Sequence, residues 1–304
     1  MTLPIVHHPA YTVPLPDRHR FPMNKFQALI EVLRDDGLAP PGACYEPEPA
    51  PRWWLELAHD ADYVAGICEQ SAPAAVMRRI GLPLSPELAR RSRCAVGGTV
   101  LAARLALARG LACQTAGGSH HASHDSGAGY CVFNDVAVAC RVLQASGEAA
   151  EMVVIDLDVH QGDGTSQIFR GDNAVFTFSM HCERNFPVRK QPGDRDVGLP
   201  EGMEDEDYLA RLEDELERLL GQRRPDIVFY NAGVDPHRLD RLGKLALSDD
   251  GLARRDEMVI AACLRRGIPV ACVIGGGYGD DVTALGRRHA ILHATAAGLY
   301  RVLT

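Results

Sequence analysis

Three ionisable side chains, Asp156, Asp158 and His160, alternate with Leu157 and Val159 directly after the apolar run Met152–Ile155. The run reads as a buried strand, with the charges at its C-terminal end, where open parallel sheets place their ligand sites. A backbone that stays extended predicts all three side chains on one face. Two carboxylates and an imidazole converging there repel one another or stay undersolvated, and a bound divalent metal resolves that conflict. A surface Asp-x-Asp turn is the plainer alternative. The strand before the stretch and Gly162-Asp163-Gly164 after it favour the metal.

Other polar groups stand at comparable places. Asp235 ends the segment from Ile227 to Gly233 and offers a third anionic ligand, although a strand-end Asp also caps turns. Two carboxylates and one imidazole leave positions open for water and substrate, as catalytic sites do, and both zinc and ferrous iron suit such a set. His120-His121 follow Gly117-Gly118-Ser119, so both imidazoles can face one water, with Asp156 and Asp163 as candidate partners fixing their tautomers. Tyr278 follows Gly275-Gly276-Gly277 and presents a phenol that can reach a polarised carbonyl. A phosphate loop is disfavoured there, because no Gly-Lys-Ser/Thr follows.

Positioning these groups requires strands that end on a common edge. The pattern predicts strands at Leu3–His7, Leu111–Thr115, Met152–Ile155, Ala174–Ser179, Asp226–Asn231 and Pro269–Ile274. Helices are expected from Asn24, as N-cap, to Asp36, in part of Trp53–Gln70, and at Pro86–Arg109 behind a Ser85 cap. Further helices are expected at Asn134–Ser146, Asp205–Leu220, Leu252–Arg266 and Asp281–Leu303. The alternation means an α/β fold, a doubly wound, mostly parallel sheet with helices on both faces, and no composition shift divides residues 1–304 into more than one domain. The long loop His8–Pro22 is either functional or a covering segment.

The whole-chain properties exclude more than they assert. A formal net charge of -8 argues against nucleic acid as a direct partner, while leaving the local potential at a site undetermined. Nine scattered cysteines without a Cys-x-x-Cys pair, and no signal-like N-terminus, read as reduced thiols in a cytoplasmic protein. No apolar run approaches the ~20 residues of a membrane helix.

Five ordered segments, Gly117–Ala122, Gly129–Asp135, Ile155–Thr165, Tyr230–Asp235 and Gly275–Tyr278, resemble the histone deacetylase family along nearly the whole chain. Leu15–Met23 and the compact length look most like the class IV group and its bacterial relatives. The resemblance implies the arginase/deacetylase three-layer sandwich. It implies Zn²⁺ on Asp158, His160 and Asp235, with Fe²⁺ as the other candidate ion. His121 would be the general base and acid and His120 mainly electrostatic, backed by Asp163 and Asp156 respectively, and Tyr278 would hydrogen-bond the amide oxygen. Gly129, Tyr130, Phe186 and Leu242 would line an acyl-lysine tunnel. Carbonyls around Asp156, Asp158 and His160, with Ser179 and Met180, look like the family's inner K⁺ site, and Phe169, Asp172 and Val175 like a second.

Two departures bear on substrate. Tyr130 stands where many relatives have phenylalanine, and Leu242 where a polyamine-selective relative carries an acidic gatekeeper, which disfavours a charged amine substrate. The implied activity is hydrolysis of N-acyl-lysine on a protein or peptide. The alternatives are hydrolysis of a small acylated amine such as an acetylpolyamine, an arginase-like ureohydrolase, and a catalytically silent acyl-lysine binder. The proton-transfer groups His120, His121 and Asp163, with Tyr278, argue against the last.

Overall fold

Continuous apolar runs become strands here because both of their faces are covered, so no polar alternation is needed. The computed structural model describes residues 2–40 and 42–303. Among them, seven strands form one sheet: β1 (Ile5–Val6), β2 (Leu111–Gln114), β3 (Met152–Asp156), β4 (Val175–Cys182), β5 (Arg195–Leu199), β6 (Ile227–Asn231) and β7 (Val270–Val273). Every residue of β2, β3, β6 and β7 is buried. All pairings are parallel, in the order β1-β2-β7-β6-β3-β4-β5.

That order creates the site. The chain enters the middle of the sheet at β3, adds β4 and β5 outward, then returns to lay β6 and β7 between β3 and β2. Growth reverses between β3 and β6, and at such a switch point the loops leave in opposite directions and open a crevice. Asp156 is level with Asn231 across that junction, and Asn231 is level with Val273. The loops after β3, β6 and β7 therefore emerge on one edge.

The helices are α1 (Lys25–Asp35), α2 (Arg52–Leu55), α3 (Ala61–Cys68), α4 (Ala74–Ile80), α5 (Pro86–Arg109), α6 (Asp135–Ser146), α7 (Asp163–Ile168), α8 (Asp205–Gln222), α9 (Asp249–Leu264) and α10 (Val282–Leu303). One group, α1 with α8, α9 and α10, packs together, and a second joins α2, α3, α5, α6 and α7. Helices of both groups touch the sheet, giving the expected three layers. Ser85 caps α5 by accepting the Leu88 N–H at 3.1 Å, with Pro86 in the first turn. The small residues of α5 admit close neighbours: a Cβ on Gly97 would lie 2.0 Å from the Glu48 carbonyl oxygen. No helix among the described residues is long and apolar enough to cross a membrane, and the nine cysteines are all free.

Several expectations differ from the structure. Asn24 precedes α1 but its side chain makes no cap bond, because its own backbone is already helical. The first strand shrinks to two residues, and β4 runs on to Cys182. β5, α4 and α7 were not expected. β5, Arg-Asp-Val-Gly-Leu, has no apolar run and is strand because β4 supplies its hydrogen-bond partners. The two short helices are below the length at which periodicity is readable.

Candidate metal and catalytic centre

The largest departure lies at the motif itself. β3 stops at Asp156, and the chain folds rather than extends: Asp156 Oδ1 accepts the Asp158 N–H at 3.1 Å, and Asp158 Oδ1 accepts the His160 N–H at 3.0 Å. Successive side-chain turns of this kind replace the strand ladder. The expected common face for all three side chains is thereby lost. Asp156 turns to His120, while Asp158 and His160 meet Asp235, whose Oδ1 accepts the Val159 N–H at 2.9 Å.

Ligand atoms of Asp158, His160 and Asp235 lie within 4.8 Å of one another. His160 Nδ1 is 3.0 Å from Asp158 Oδ1 and 3.1 Å from Asp235 Oδ2. Both carboxylates are essentially inaccessible, at 1% and 0% exposure. Burial, then the charge of Asp158, pushes the Asp235 carboxyl up to about 7. Burial opposes a charge on His160 too, but the hydrogen bonds and charges of Asp158 and Asp235 outweigh it and raise it to about 10. Two carboxylates and an imidazole buried within contact of one another demand a compensating positive charge, and such a donor set fits a divalent cation. The surrounding glycines make room: a Cβ on Gly276 would fall 2.1 Å from Asp235 Oδ2 and 2.6 Å from Asp158 Oδ2, and one on Gly233 would fall 2.4 Å from Asp158 Oδ2.

The paired histidines sit beside this cluster, their ring centroids 4.1 Å apart. His120 Nδ1 is 2.6 Å from Asp156 Oδ2, and His121 Nδ1 is 2.6 Å from Asp163 Oδ1. With each carboxylate accepting from Nδ1–H, the proton-free position of a neutral ring is Nε2. Their environments diverge. Burial lowers His120, but Asp156 and Asp158 overcome it and leave its pKa at about 9. His121 is lowered to about 4, by burial first and then by the charge on His120. Thr165 N–H donates to the His120 carbonyl at 3.1 Å, and Asp135 accepts the N–H groups of Gly118 and Ser119 at 3.1 and 2.7 Å, which holds the histidine loop.

Above these groups opens a cavity of about 460 Å³. Gly129, Tyr130, Phe186, Leu242 and Tyr278 line it, with His121 and His160 at its inner end. Phe186 meets His121 edge-on at 4.8 Å between centroids. Gly129 has φ 53°, and a Cβ there would press on the His121 ring at 2.7 Å. Tyr130 holds a left-handed φ of 67°, a cost for a bulky residue, kept in place by its N–H donating to the Ile80 carbonyl at 2.7 Å. Its ring packs 5.0 Å from Phe21 and 6.0 Å from Tyr278. The His8–Pro22 loop therefore supports the cavity wall through Phe21.

Sequence reading missed several residues that hold this assembly. Arg255, fully buried in α9, donates from Nη1 to the Gly233 carbonyl at 2.6 Å and lies 3.4 Å from that of Leu157, tying the loops that carry Asp158 and Asp235 together from below. Asp256 accepts from Arg255 at 2.8 Å and from the Tyr230 hydroxyl at 2.6 Å. The signal was available: an Arg-Asp pair interrupts the stripe Leu252, Val259, Ile260 and Cys263. Lys25 is buried as well, donating to the Gly275 carbonyl at 3.1 Å, and burial lowers its amine to about 8. Asp240 accepts the Tyr278 N–H at 2.7 Å.

The residues tied by resemblance to K⁺ lie along the β3–β4 junction, where Asp156 is level with Ser179 and Met180 follows. The Ser179 hydroxyl is 2.9 Å from His181 Nδ1. Near Phe169 and Val175, the Asp172 carboxylate already pairs with Arg141 at 2.5 Å, so a second alkali cation there would rest on main-chain oxygens.

The histone deacetylase domain profile matches residues 19–294. An uncharacterized protein of Picosynechococcus is 52% identical over 99% of this chain and 100% of its own length. Histone deacetylase 2 of Arabidopsis thaliana is 30% identical over 86% of this chain and 70% of its own. The structure of an HDAC homolog from Aquifex aeolicus superposes with a TM-score of 0.82 at 24% identity, over 98% of this chain and 84% of that one, which speaks to the fold.

Proposed function

Because the chain belongs to the histone deacetylase family, we propose that it is a zinc-dependent hydrolase of N-acyl-lysine amides on proteins or peptides. The observation that carries this reading is the pair of adjacent imidazoles, each hydrogen-bonded at Nδ1 to its own carboxylate, standing beside an Asp-His-Asp cluster at the end of one cavity. Asp158, His160 and Asp235 would hold the metal. When bound, it supplies Lewis acidity toward the amide carbonyl and toward water.

The chain's own groups do the rest. Asp163 keeps the His121 proton on Nδ1, so Nε2 accepts a proton from water as its oxygen bonds to the acyl carbon. The same nitrogen then returns that proton to the leaving amine as the C–N bond breaks, giving a carboxylate and a free lysine. His120, kept cationic by Asp156, offsets the negative charge that develops. Tyr278 donates a hydrogen bond from its phenolic O–H to the oxyanion, a contact made fully only in the transition state. Gly129, Tyr130 and Phe186 enclose the acyl-lysine stem, and Leu242 stands at the rim. In the same reading, oxygen donors around Asp156, Asp158, His160, Ser179 and Met180 hold a structural K⁺, since hard oxygens suit a hard cation. Localisation in the cytoplasm is part of the proposal.

Turnover of acetyl-lysine and longer acyl-lysine peptides, measured for the zinc-loaded protein, tests it. Tyr278→Phe and His121→Ala are expected to lose about 100-fold or more in kcat with zinc retained, and Asp235→Asn to lose the zinc. Wild-type turnover in all three would refute the roles assigned.

A further inference from the structure

The cavity mouth carries a charge opposite to that of the protein. The chain has a formal net charge of -8, yet the lining includes Arg78, Arg79, Arg184 and Lys244 and no carboxylate. These cations come from three segments: the last turn of α4, the loop after β4, and the segment between β6 and α9. Lys244 pairs with Glu201 at 2.8 Å, whereas Arg78, Arg79 and Arg184 are exposed and have no ion pair among the described residues. Exposed cations left unpaired in an acidic protein set a local positive potential.

The segments are fixed to the cavity wall and to each other. The carbonyls of Arg79 and Ile80 accept the N–H groups of Gly129 and Tyr130 at 3.2 and 2.7 Å. Asn185, next to Arg184, donates to the Leu242 carbonyl at 2.7 Å and accepts the Lys244 N–H at 3.1 Å. The backbone segments that carry Arg78, Arg79, Arg184 and Lys244 are therefore anchored around one opening. Arginine presents a planar fork matched to carboxylates.

We propose that the substrate is an acyl-lysine flanked on both sides by acidic residues, Asp or Glu, whose carboxylates are received by Arg78, Arg79 and Arg184 as the acyl-lysine enters the cavity. This rests on the deacylase reading and adds the charge of the substrate to it. A lysine-rich peptide is repelled at the same mouth. Cations from three segments, rather than one, suit charges distributed along a peptide that crosses the opening.

The test uses zinc-loaded protein and three acetyl-lysine peptides of equal length, with identical residues next to the lysine and acidic, neutral or basic flanks. A capped acetyl-lysine amide without flanks is the fourth substrate. The acidic peptide is expected to exceed the basic one in kcat/KM on the order of tenfold at low salt, carried by KM, and the ratio to shrink as NaCl rises. In Arg78→Glu/Arg79→Glu and in Arg184→Glu the acidic-to-basic ratio is expected to fall several-fold or invert. The ratio is internal to each protein, so a general loss of activity cancels. Equal rates on the three peptides, a preference for the basic one, or a ratio indifferent to these variants overturns the inference while turnover of the capped amide leaves the deacylase reading standing. Competitive inhibition by an RNA oligonucleotide without a rank order among peptides also overturns it. Absence of turnover on all four substrates sinks the deacylase reading and the inference together.

Discussion

Gly276→Ala isolates the metal geometry from everything else. The backbone there is outside the left-handed region, so alanine is not excluded by conformation. The added Cβ, however, would sit 2.1 Å from Asp235 Oδ2 and 2.6 Å from Asp158 Oδ2. Ordinary non-bonded contacts lie near 3.5 Å, so the Asp235 carboxylate and residue 276 must move apart by roughly 1.4 Å. A ligand position tolerates only about 0.2 Å. Loss of outer-shell support alone typically costs about 10–100-fold in affinity, and displacing ligands costs no less than the upper end, or about 2.7 kcal/mol. The assay is a competition titration of metal-free protein with Zn²⁺ against a chromophoric chelator, with circular dichroism to check that the fold is kept. Gly279→Ala is the control, because nothing lies within 4 Å of its added Cβ. The expected outcome is zinc affinity reduced at least ~100-fold for Gly276→Ala and unchanged for Gly279→Ala. Wild-type affinity in Gly276→Ala would show that the metal does not sit between these two carboxylates.

Three further outcomes follow from the same geometry. Asp163→Asn, which touches His121 and none of the proposed ligands, is expected to lower kcat by about 100-fold with zinc stoichiometry unchanged; metal analysis beside single-turnover rates checks both halves. His59 is neutral in the fold, its Nδ1 2.8 Å from the Ser123 carbonyl and its Nε2 accepting the Asn134 N–H, and burial lowers it from 6.5 to about 4. As pH falls the unfolded chain takes up that proton first, so the stability His59 contributes is complete above pH 6.5 and is lost toward pH 4, by about 3 kcal/mol. Other buried histidines share this direction, so urea midpoints at successive pH values should fall over this window and His59→Gln should make the fall shallower; an unaltered slope refutes the assignment. Arg255→Met removes one partner of a buried pair and is expected to destabilise by about 3–5 kcal/mol. An effect below ~1 kcal/mol in urea unfolding would mean that Arg255 does not tie the two loops as described.

Most of the long elements, and the edge on which chemistry gathers, were legible in the residues alone. Four strands ending in polar, glycine-bearing loops near His120, Asp158, Asp235 and Tyr278 imply one parallel-sheet edge whatever the strand order, and the ordered motifs implied the family to which the chain belongs. What the sequence could not determine was which side chain faces which. Asp156, Asp158 and His160 look equivalent in an extended reading, and only the folded loop, held by side-chain-to-backbone bonds, sends Asp156 to His120 and the other two to Asp235. The short edge strand β5 exists because β4 offers it partners, a non-local cause that leaves no mark on the residues themselves. Arg255 and Lys25 carry no motif of their own, and it is packing that buries them beneath the loops they hold. The sign of the potential at the cavity mouth belongs to the same class: total charge is a sum over residues, whereas a local field depends on which three segments the sheet topology brings together.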